Sequence, residues 1–260
     1  APLLDKPKWD FAMPRFSPDG RHIAVIATPQ VPKHTLLGKL GIIDSGGRWR
    51  VLDADWDTDV TGPLRWPSAR DAVYFTAESR GRCHVWRRPL AADLPQLVWQ
   101  GSWVQGFDVA AFGDADVLVT ASNSIHHPVQ IHAAVLAESR GAAIEARRIE
   151  QFNDALLARL KFGHVEEVTV RGALNEEVQM WLVFPPNFKR GRKHPVLHVI
   201  HGGPYVAIGD NFSYRWNPHL LASKGHVVAM VNYHGSSGFG HAFRDSIMGR
   251  MGELELIDIE

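Results

Sequence analysis

A turn-and-strand unit recurs through the first half of this chain, and that recurrence most restricts what it can fold into. Phe16-Ser-Pro-Asp-Gly-Arg-His-Ile-Ala-Val-Ile26 reads as a tight turn running into an apolar strand. Proline presets φ, aspartate bonds to nearby backbone and glycine takes positive φ, so Ser17-Pro18-Asp19-Gly20 reverses the chain. A similar unit stands at 64–77, and a more degenerate one at 107–121. Aligning Ile23, Ala72 and Asp116 gives a spacing of roughly 45–50 residues, the range of propeller blades. Further short strands are expected at Gly41–Asp44, His84–Arg87, Leu97–Trp99 and Val129–Val135, enough for about four strands per blade. A β-sandwich with coincidental spacing is the alternative. Three blades, with at most part of a fourth, fall short of the roughly four to eight that close a ring. The propeller reading therefore expects more blades before Ala1.

Composition narrows the function classes. With 260 residues, 45% hydrophobic and 22% charged, the chain can bury the core of one large domain or two ordinary ones. Lys+Arg and Asp+Glu both number 28, so no basic surface argues for nucleic acid and no acidic run for disorder. No apolar run approaches the roughly 18 residues of a membrane span. A single cysteine, Cys83, excludes an internal disulfide framework. It leaves the compartment open. A periplasmic or secreted location is expected, with the cytoplasm as the alternative. The chain opens Ala1-Pro2-Leu3-Leu4 without Met or a leader pattern, which fits a processed or truncated chain.

The pattern changes after about residue 150. Phe152–Leu160 reads as a connector. Val165–Val170 and Glu177–Phe184 read as two antiparallel strands, the second stopped by Pro185-Pro186. Lys189–His194 is a basic surface loop. Strand and helix then alternate, the mark of an α/β domain. Pro195–Ile200 is expected as a buried strand ending at His201-Gly-Gly-Pro204. Phe212–Lys224 has helical spacing and a plausible C-cap at Gly225. Val227–Val231 is the next buried strand, followed by the loop Asn232-Tyr-His-Gly-Ser-Ser-Gly-Phe-Gly240 and a helix-like segment, Glu253–Glu260, in which the chain stops. The expected domains are 1–150, the last blades of a β-propeller, and 151–260, the start of an α/β-hydrolase fold.

A strand that breaks into consecutive glycines exposes backbone N–H groups at its carboxyl end. Without a Cβ such backbone can approach a ligand closely. Gly202 and Gly203 are thus the candidate oxyanion-hole residues, in the place where α/β-hydrolases put one donor. No metal site is expected. His194 and His198 share one strand face while His201 falls elsewhere, and no His-Glu-x-x-His or Cys-x-x-Cys is present. No phosphate-loop pattern is present either, so no cofactor is expected.

The 232–240 loop, Asn-Tyr-His-Gly-Ser-Ser-Gly-Phe-Gly, resembles the Asn-x-x-Gly-Ser-x-Gly-aromatic-Gly loop of the prolyl oligopeptidase family of serine peptidases. It lies downstream of His-Gly-Gly-Pro at that family's spacing, and the blades before it are similar to the family's propeller. Phe212-Ser-Tyr-Arg-Trp-Asn217 and Asn232-Tyr-His-Gly235 are most similar to the dipeptidyl-peptidase V branch. His234 stands where other branches carry arginine, which keeps the acylaminoacyl-peptidases as a rival. The resemblance implies acyl transfer to a serine assisted by a histidine and an acid. It also implies short peptide substrates screened by the propeller, and it leaves a homodimer open.

The nucleophile elbow Gly-x-Ser-x-Gly is absent. Gly235-Ser236-Ser237-Gly238-Phe239 has phenylalanine where the last glycine belongs. Ser236 and Ser237 are not assigned as nucleophiles, and the triad serine, aspartate and histidine are expected downstream of Glu260. The 260 residues alone are expected to be inactive. By position after the oxyanion loop, Phe212, Tyr214, Arg215 and Trp216 are candidate substrate-binding residues, the aromatics as pocket walls and Arg215 toward a carboxylate or carbonyl. His201 and Tyr233 join them, each also readable as loop support. Glu78, Asp108 and Glu138 are candidates to hold a substrate amino group. The readings kept open are a dipeptide-releasing exopeptidase, an acylaminoacyl-peptidase or esterase, and a non-catalytic binding protein.

Overall fold

A computed structural model describes residues 4–67, 71–137 and 146–260. The chain separates into two compact units. The first comprises Ala1–Glu78, Cys83–Ser122 and Ile131–Ile149; the second comprises Ser79–Arg82, Asn123–Gln130 and Glu150–Glu260.

Among the described residues the regular structure of the first unit is all strand. One sheet holds β1 (Trp9–Phe16), β2 (His22–Pro29), β3 (Lys39–Asp44) and β4 (Trp49–Val51) in sequence order. Next come β5 (Thr61–Arg65), β6 (Ala72–Ser79), β7 (Arg82–Pro89) and β8 (Gln96–Trp99). They are followed by β9 (Trp103–Phe112), β10 (Ala115–Ser124), β11 (His127–Ala137) and β12 (Arg147–Arg148). Within each set neighbours in sequence pair, and the last two sets join through a parallel contact of β7 with β9 at Cys83 and Trp103. The strands thus fall into three consecutive sets of four. Ile23, Ala72 and Asp116 fall at the start of β2, β6 and β10, the second strand of each set. No sheet closes on itself among the described residues.

Local chemistry explains the spacing. In the first turn Asp19 Oδ1 accepts from Ser17 Oγ at 2.6 Å and from the Arg21 N–H at 3.0 Å. Gly20 takes φ +70°, which a side chain would resist. Ala24, Leu40, Ile42, Leu64, Val73 and Phe75 form one buried cluster, and Tyr74, Val85, Val104, Phe107 and Leu118 another. Val73 and Phe75 thus pack on one side of β6 and Tyr74 on the other, the period-two alternation of a strand buried on both faces. The Tyr74 hydroxyl donates to the buried Asp116 carboxylate, tying β6 to β10. Burial and then this carboxylate push the phenol's pKa up.

In the second unit a single helical turn, α1 (Asp154–Leu157), precedes β13 (Val165–Arg171) and β14 (Glu177–Val183). β15 (Val196–Val199), α2 (Pro218–Ala222) and β16 (Val227–Asn232) follow, then α3 (His241–Asp245) and α4 (Leu254–Ile259). The sheet order is β13-β14-β16-β15, with β15 parallel to β16 and the other two pairings antiparallel. β15, α2 and β16 make the strand–helix–strand unit that parallel pairing requires. Trp181, Val183, Val228 and Met230 pack with Ala222 of α2, while Val178, Val231 and Tyr233 pack with Ile259 of α4. Helices therefore cover both faces of the sheet, an α/β layering.

Two expectations need correction. The strand at 195–200 is not buried: it is a sheet edge, with Val196 57% and Ile200 60% exposed. An apolar run reports side-chain type, whereas burial depends on which neighbours cover it. The helix expected at 212–224 is only α2. Pro218 occupies its first turn and keeps Asn217 extended (φ −69°, ψ 116°), so the helix cannot continue upstream. Asn217 caps it instead, its side chain accepting from the His219 N–H at 3.0 Å.

Candidate oxyanion loop and its support

β15 ends at Val199 and delivers His201-Gly202-Gly203-Pro204 at its carboxyl end. In α/β sheets ligands gather beyond the carboxyl ends of the strands. Gly203 has φ +135°, and an added Cβ there would lie 2.8 Å from Val206 Cγ2, so only glycine fits without strain. At Gly202 an added Cβ would meet nothing within 4 Å. Neither the Gly202 nor the Gly203 N–H has a hydrogen-bond partner among the described residues. Two free backbone donors on a glycine loop suit a developing negative charge.

The 232–240 loop grips both ends of this segment. At the far end Asn232 holds the backbone of Ile208. Its Oδ1 accepts from the Ile208 N–H at 2.7 Å, and its Nδ2 donates to the Ile208 carbonyl at 3.0 Å and to Gln179 Oε1 at 2.5 Å. Trp181 Nε1 donates to the same carbonyl at 3.1 Å. At the near end Tyr233 lies beneath His201, with ring centroids 4.1 Å apart and planes 8° from parallel. The Tyr233 hydroxyl donates to the His201 carbonyl and lies 3.2 Å from His201 Nδ1. His201 Nδ1 is 3.1 Å from the Gly202 carbonyl, and Nε2 is 3.1 Å from Ser236 Oγ. Burial lowers the His201 pKa, against the opposing pull of the Gly202 carbonyl.

A third brace lies below. The His234 ring is 0% exposed, with Nδ1 2.7 Å from Asp258 Oδ2 and Nε2 3.5 Å from Glu176 Oε2. The same Asp258 oxygen accepts the His234 N–H at 2.7 Å, and Oδ1 accepts the Ala173 N–H at 2.8 Å. Burial works against a charged His234, but Asp258 and then Glu176 outweigh it and raise the pKa. One carboxylate of α4 thus fixes both the 232–240 loop and the turn after β13. Gly172 makes room for it, since an added Cβ would stand 2.3 Å from Asp258 Oδ1.

The residues singled out from sequence separate into two groups. His201, Gly202, Gly203 and Tyr233 come together as described. Phe212, Tyr214, Arg215 and Trp216 form a group of their own. Phe212 meets Tyr214 edge-on at 5.0 Å, and the Arg215 guanidinium covers the Trp216 ring at 5.4 Å. Tyr214 is 80% and Trp216 66% exposed, so neither walls an enclosed pocket here. The Phe212 N–H donates to Asn123 Oδ1 at 3.1 Å. An open cleft of about 530 Å³ lies elsewhere, lined by Arg80, Arg171, Glu176, Phe239 and Phe243 among others, and by none of the sequence candidates. Asp108 is paired with Arg65 at 2.8 Å, and Glu138 falls outside the described residues.

Sequence reasoning missed the part played by Ser236, Asn232 and Asp258. The Asn and Ser of the 232–240 motif were the available signal. Their partners lie far back in the chain. Ser236 is 0% exposed, which also removes it as an accessible nucleophile.

The chain is similar to several known proteins. Residues 212–260 match the Prolyl oligopeptidase family. Dipeptidyl-peptidase 5 of Porphyromonas gingivalis is 27% identical over 249 residues, covering 94% of this chain and 35% of that protein. A probable dipeptidyl-peptidase 5 of Arthroderma benhamiae is 28% identical over 251 residues, covering 95% of this chain and 34% of its own length. The chain thus spans about a third of the length of these relatives. Among solved structures, Pyrococcus horikoshii acylaminoacyl peptidase superposes with a TM-score of 0.74 at 24% identity, covering 93% of this chain and 36% of that one. That last likeness is one of fold. The carboxyl-terminal part of this chain, residues 212–260, thus matches the Prolyl oligopeptidase family, and most of its length is similar to dipeptidyl-peptidases 5.

Proposed function

We propose that the intact protein is a serine exopeptidase that releases dipeptides from peptide amino termini through an acyl-enzyme. In this reading the chain supplies the oxyanion loop, with Gly202 and Gly203 as its donors. The carrying observation is the pair of glycine N–H groups beyond the carboxyl end of β15 that have no partner among the described residues. The nucleophile, acid and base belong to sequence outside these 260 residues, since no Gly-x-Ser-x-Gly occurs within them. The relatives' names support the exopeptidase reading. The three four-stranded sets are assigned to blades of a β-propeller, supported by their strand count.

The fold likeness to an acylaminoacyl peptidase favours a second reading, release of a blocked amino-terminal residue. Chromogenic substrates separate the two. The first reading expects hydrolysis of dipeptide anilides with a free amino terminus and loss of turnover on acetylation. Preference for the acetylated substrate establishes the second. Failure of the full-length protein to label with a fluorophosphonate overturns both and leaves a binding protein.

A further inference from the structure

The cleft of about 530 Å³ beside the far half of the 232–240 loop combines an aromatic surface with charges of both signs. Phe239 and Phe243 supply the aromatic surface, their ring centroids 5.5 Å apart. Arg80 and Arg171 line the cleft with positive charge, Glu176 and Glu177 with negative charge. Three of the four are partly engaged. Arg171 Nη2 lies 3.7 Å from Glu177 Oε1, both side chains being more than half exposed, and one oxygen of Glu176 faces His234 Nε2 at 3.5 Å. The Arg80 guanidinium has no partner among the described residues.

Arg80 also stands where its backbone disfavours it. Arg80-Gly81 is the two-residue tip between β6 and β7 and belongs to the second unit. Both residues are left-handed, at φ +48° and φ +67°. Such a tip selects Asn, Asp or Gly, and a longer side chain costs stability there. The tip is fixed by other groups. The Arg80 N–H donates to the Gly238 carbonyl at 2.9 Å, the Gly81 carbonyl accepts from the Asp210 N–H at 2.7 Å, and Arg82 Nη2 pairs with Glu167 at 2.7 Å. None of these contacts uses the Arg80 side chain, so asparagine or glycine would make the same turn with less strain. What arginine adds is a cation lining the cleft.

We propose that this cleft binds a short zwitterionic peptide with an apolar side chain, its carboxylate held by Arg80. A guanidinium presents paired N–H groups that match a carboxylate. The peptide's ammonium goes to Glu176 and Glu177, and its apolar side chain lies on Phe239 and Phe243. The same glutamates repel polyanions such as nucleotides. The volume is within the range that holds a small ligand. In the functional reading above a dipeptide of this kind is what the enzyme releases, but the binding itself does not depend on that reading.

Titration of leucyl-phenylalanine into the 260-residue chain tests it, followed by NMR shifts of the Gly238 and Phe239 amides. The dipeptide should bind with a Kd of about 0.1–1 mM. Amidating its carboxyl terminus should weaken binding about tenfold, and acetylating its amino terminus about fivefold. Arg80→Asn and Arg80→Gly should each weaken the free dipeptide about tenfold and bring it level with the amide, which should bind wild type and variants alike. Arg80→Asn should melt at or above the wild-type temperature, because the residue suits the turn. No binding up to about 20 mM, equal binding of acid and amide, undiminished binding by the variants, or a lower melting temperature for Arg80→Asn overturns the proposal. Peptidase activity of the full-length protein bears only on the functional reading, which a dipeptide that fails to bind here leaves standing.

Discussion

Asn232 pairs with both backbone groups of Ile208, accepting from its N–H at 2.7 Å and donating to its carbonyl at 3.0 Å. This two-point clamp, rather than regular secondary structure, holds the segment after the glycine loop. Asn232 is fully buried, so water cannot replace it. Asn232→Ala should destabilise the second unit by about 2–4 kcal/mol, because several buried polar groups lose partners together. Chemical denaturation of the 260-residue chain measures this, and a loss under about 1 kcal/mol would show the clamp to be redundant.

The two glycines should respond differently to the same change. Gly202→Ala meets no atom within 4 Å, whereas Gly203→Ala combines φ +135° with a 2.8 Å contact to Val206. Gly202→Ala should leave the melting temperature within a degree or so, and Gly203→Ala should lower it clearly. In the full-length enzyme Gly203→Pro, which deletes the N–H, should cut kcat by about a hundredfold or more. Near-normal turnover in that variant would remove Gly203 from the oxyanion hole.

Two histidines of the second unit give stability opposite pH dependences. His219 is 5% exposed, and neither ring nitrogen has a partner among the described residues. Burial first, then His126, whose ring centroid is 5.0 Å away, lowers its pKa from 6.5 to about 4. The unfolded chain therefore binds this proton more readily than the folded one. The contribution is complete above about pH 6.5 and falls away as pH drops toward 4, by on the order of 3 kcal/mol. Stability of His219→Phe measured from pH 7 to pH 4 should decline less steeply than wild type.

His234 acts in the other direction. Its raised pKa, set by Asp258 and Glu176 against the cost of burial, adds stability below the unfolded value that is lost as pH rises through the folded one. Asp258→Asn should abolish this alkaline decline. It should also weaken the fold at every pH, because the carboxylate accepts from two buried backbone N–H groups as well. An alkaline limb unchanged in Asp258→Asn would assign the decline to another group.

Cys83 should be inert while the protein is folded. Burial, then the charge of Glu78, pushes its thiol up to about 12, so almost no thiolate is present at pH 8. A disulfide reagent should react at a measurable rate only in denaturant. Rapid modification of the native chain would place the thiol at the surface.

The sequence carried what local chemistry decides. Ser17-Pro18-Asp19-Gly20 marks a turn wherever it occurs, and so the recurring units locate β2, β6 and β10. Pro218 could have shortened the expected helix, since its effect on the residue before it is also local. Burial was less legible: 195–200 and 227–231 read alike as apolar runs, yet one is an edge and the other is covered on both faces. The site was legible as glycines and a motif, but not as a mechanism of support. Ser236 meets His201 35 positions away and Asp258 meets His234 24 positions away. No periodicity encodes such pairings. Chain order alone suggests Tyr214 and Trp216 as pocket walls, but their exposure is set by neighbours that order does not reveal.

The bond between His201 and Ser236 also bears on how related sequences diverge. A substitution at 201 that removes the ring nitrogen leaves the Ser236 hydroxyl with only the Tyr233 carbonyl as partner, and a serine there then has less advantage over alanine. The two positions should drift as a pair, although they sit in separate loops. Alanine at 236 beside an intact histidine at 201 should be the combination least often tolerated. Position 208 should vary only among apolar residues, because Asn232 grips its backbone while its side chain packs against the cluster that includes Trp181 and Val228.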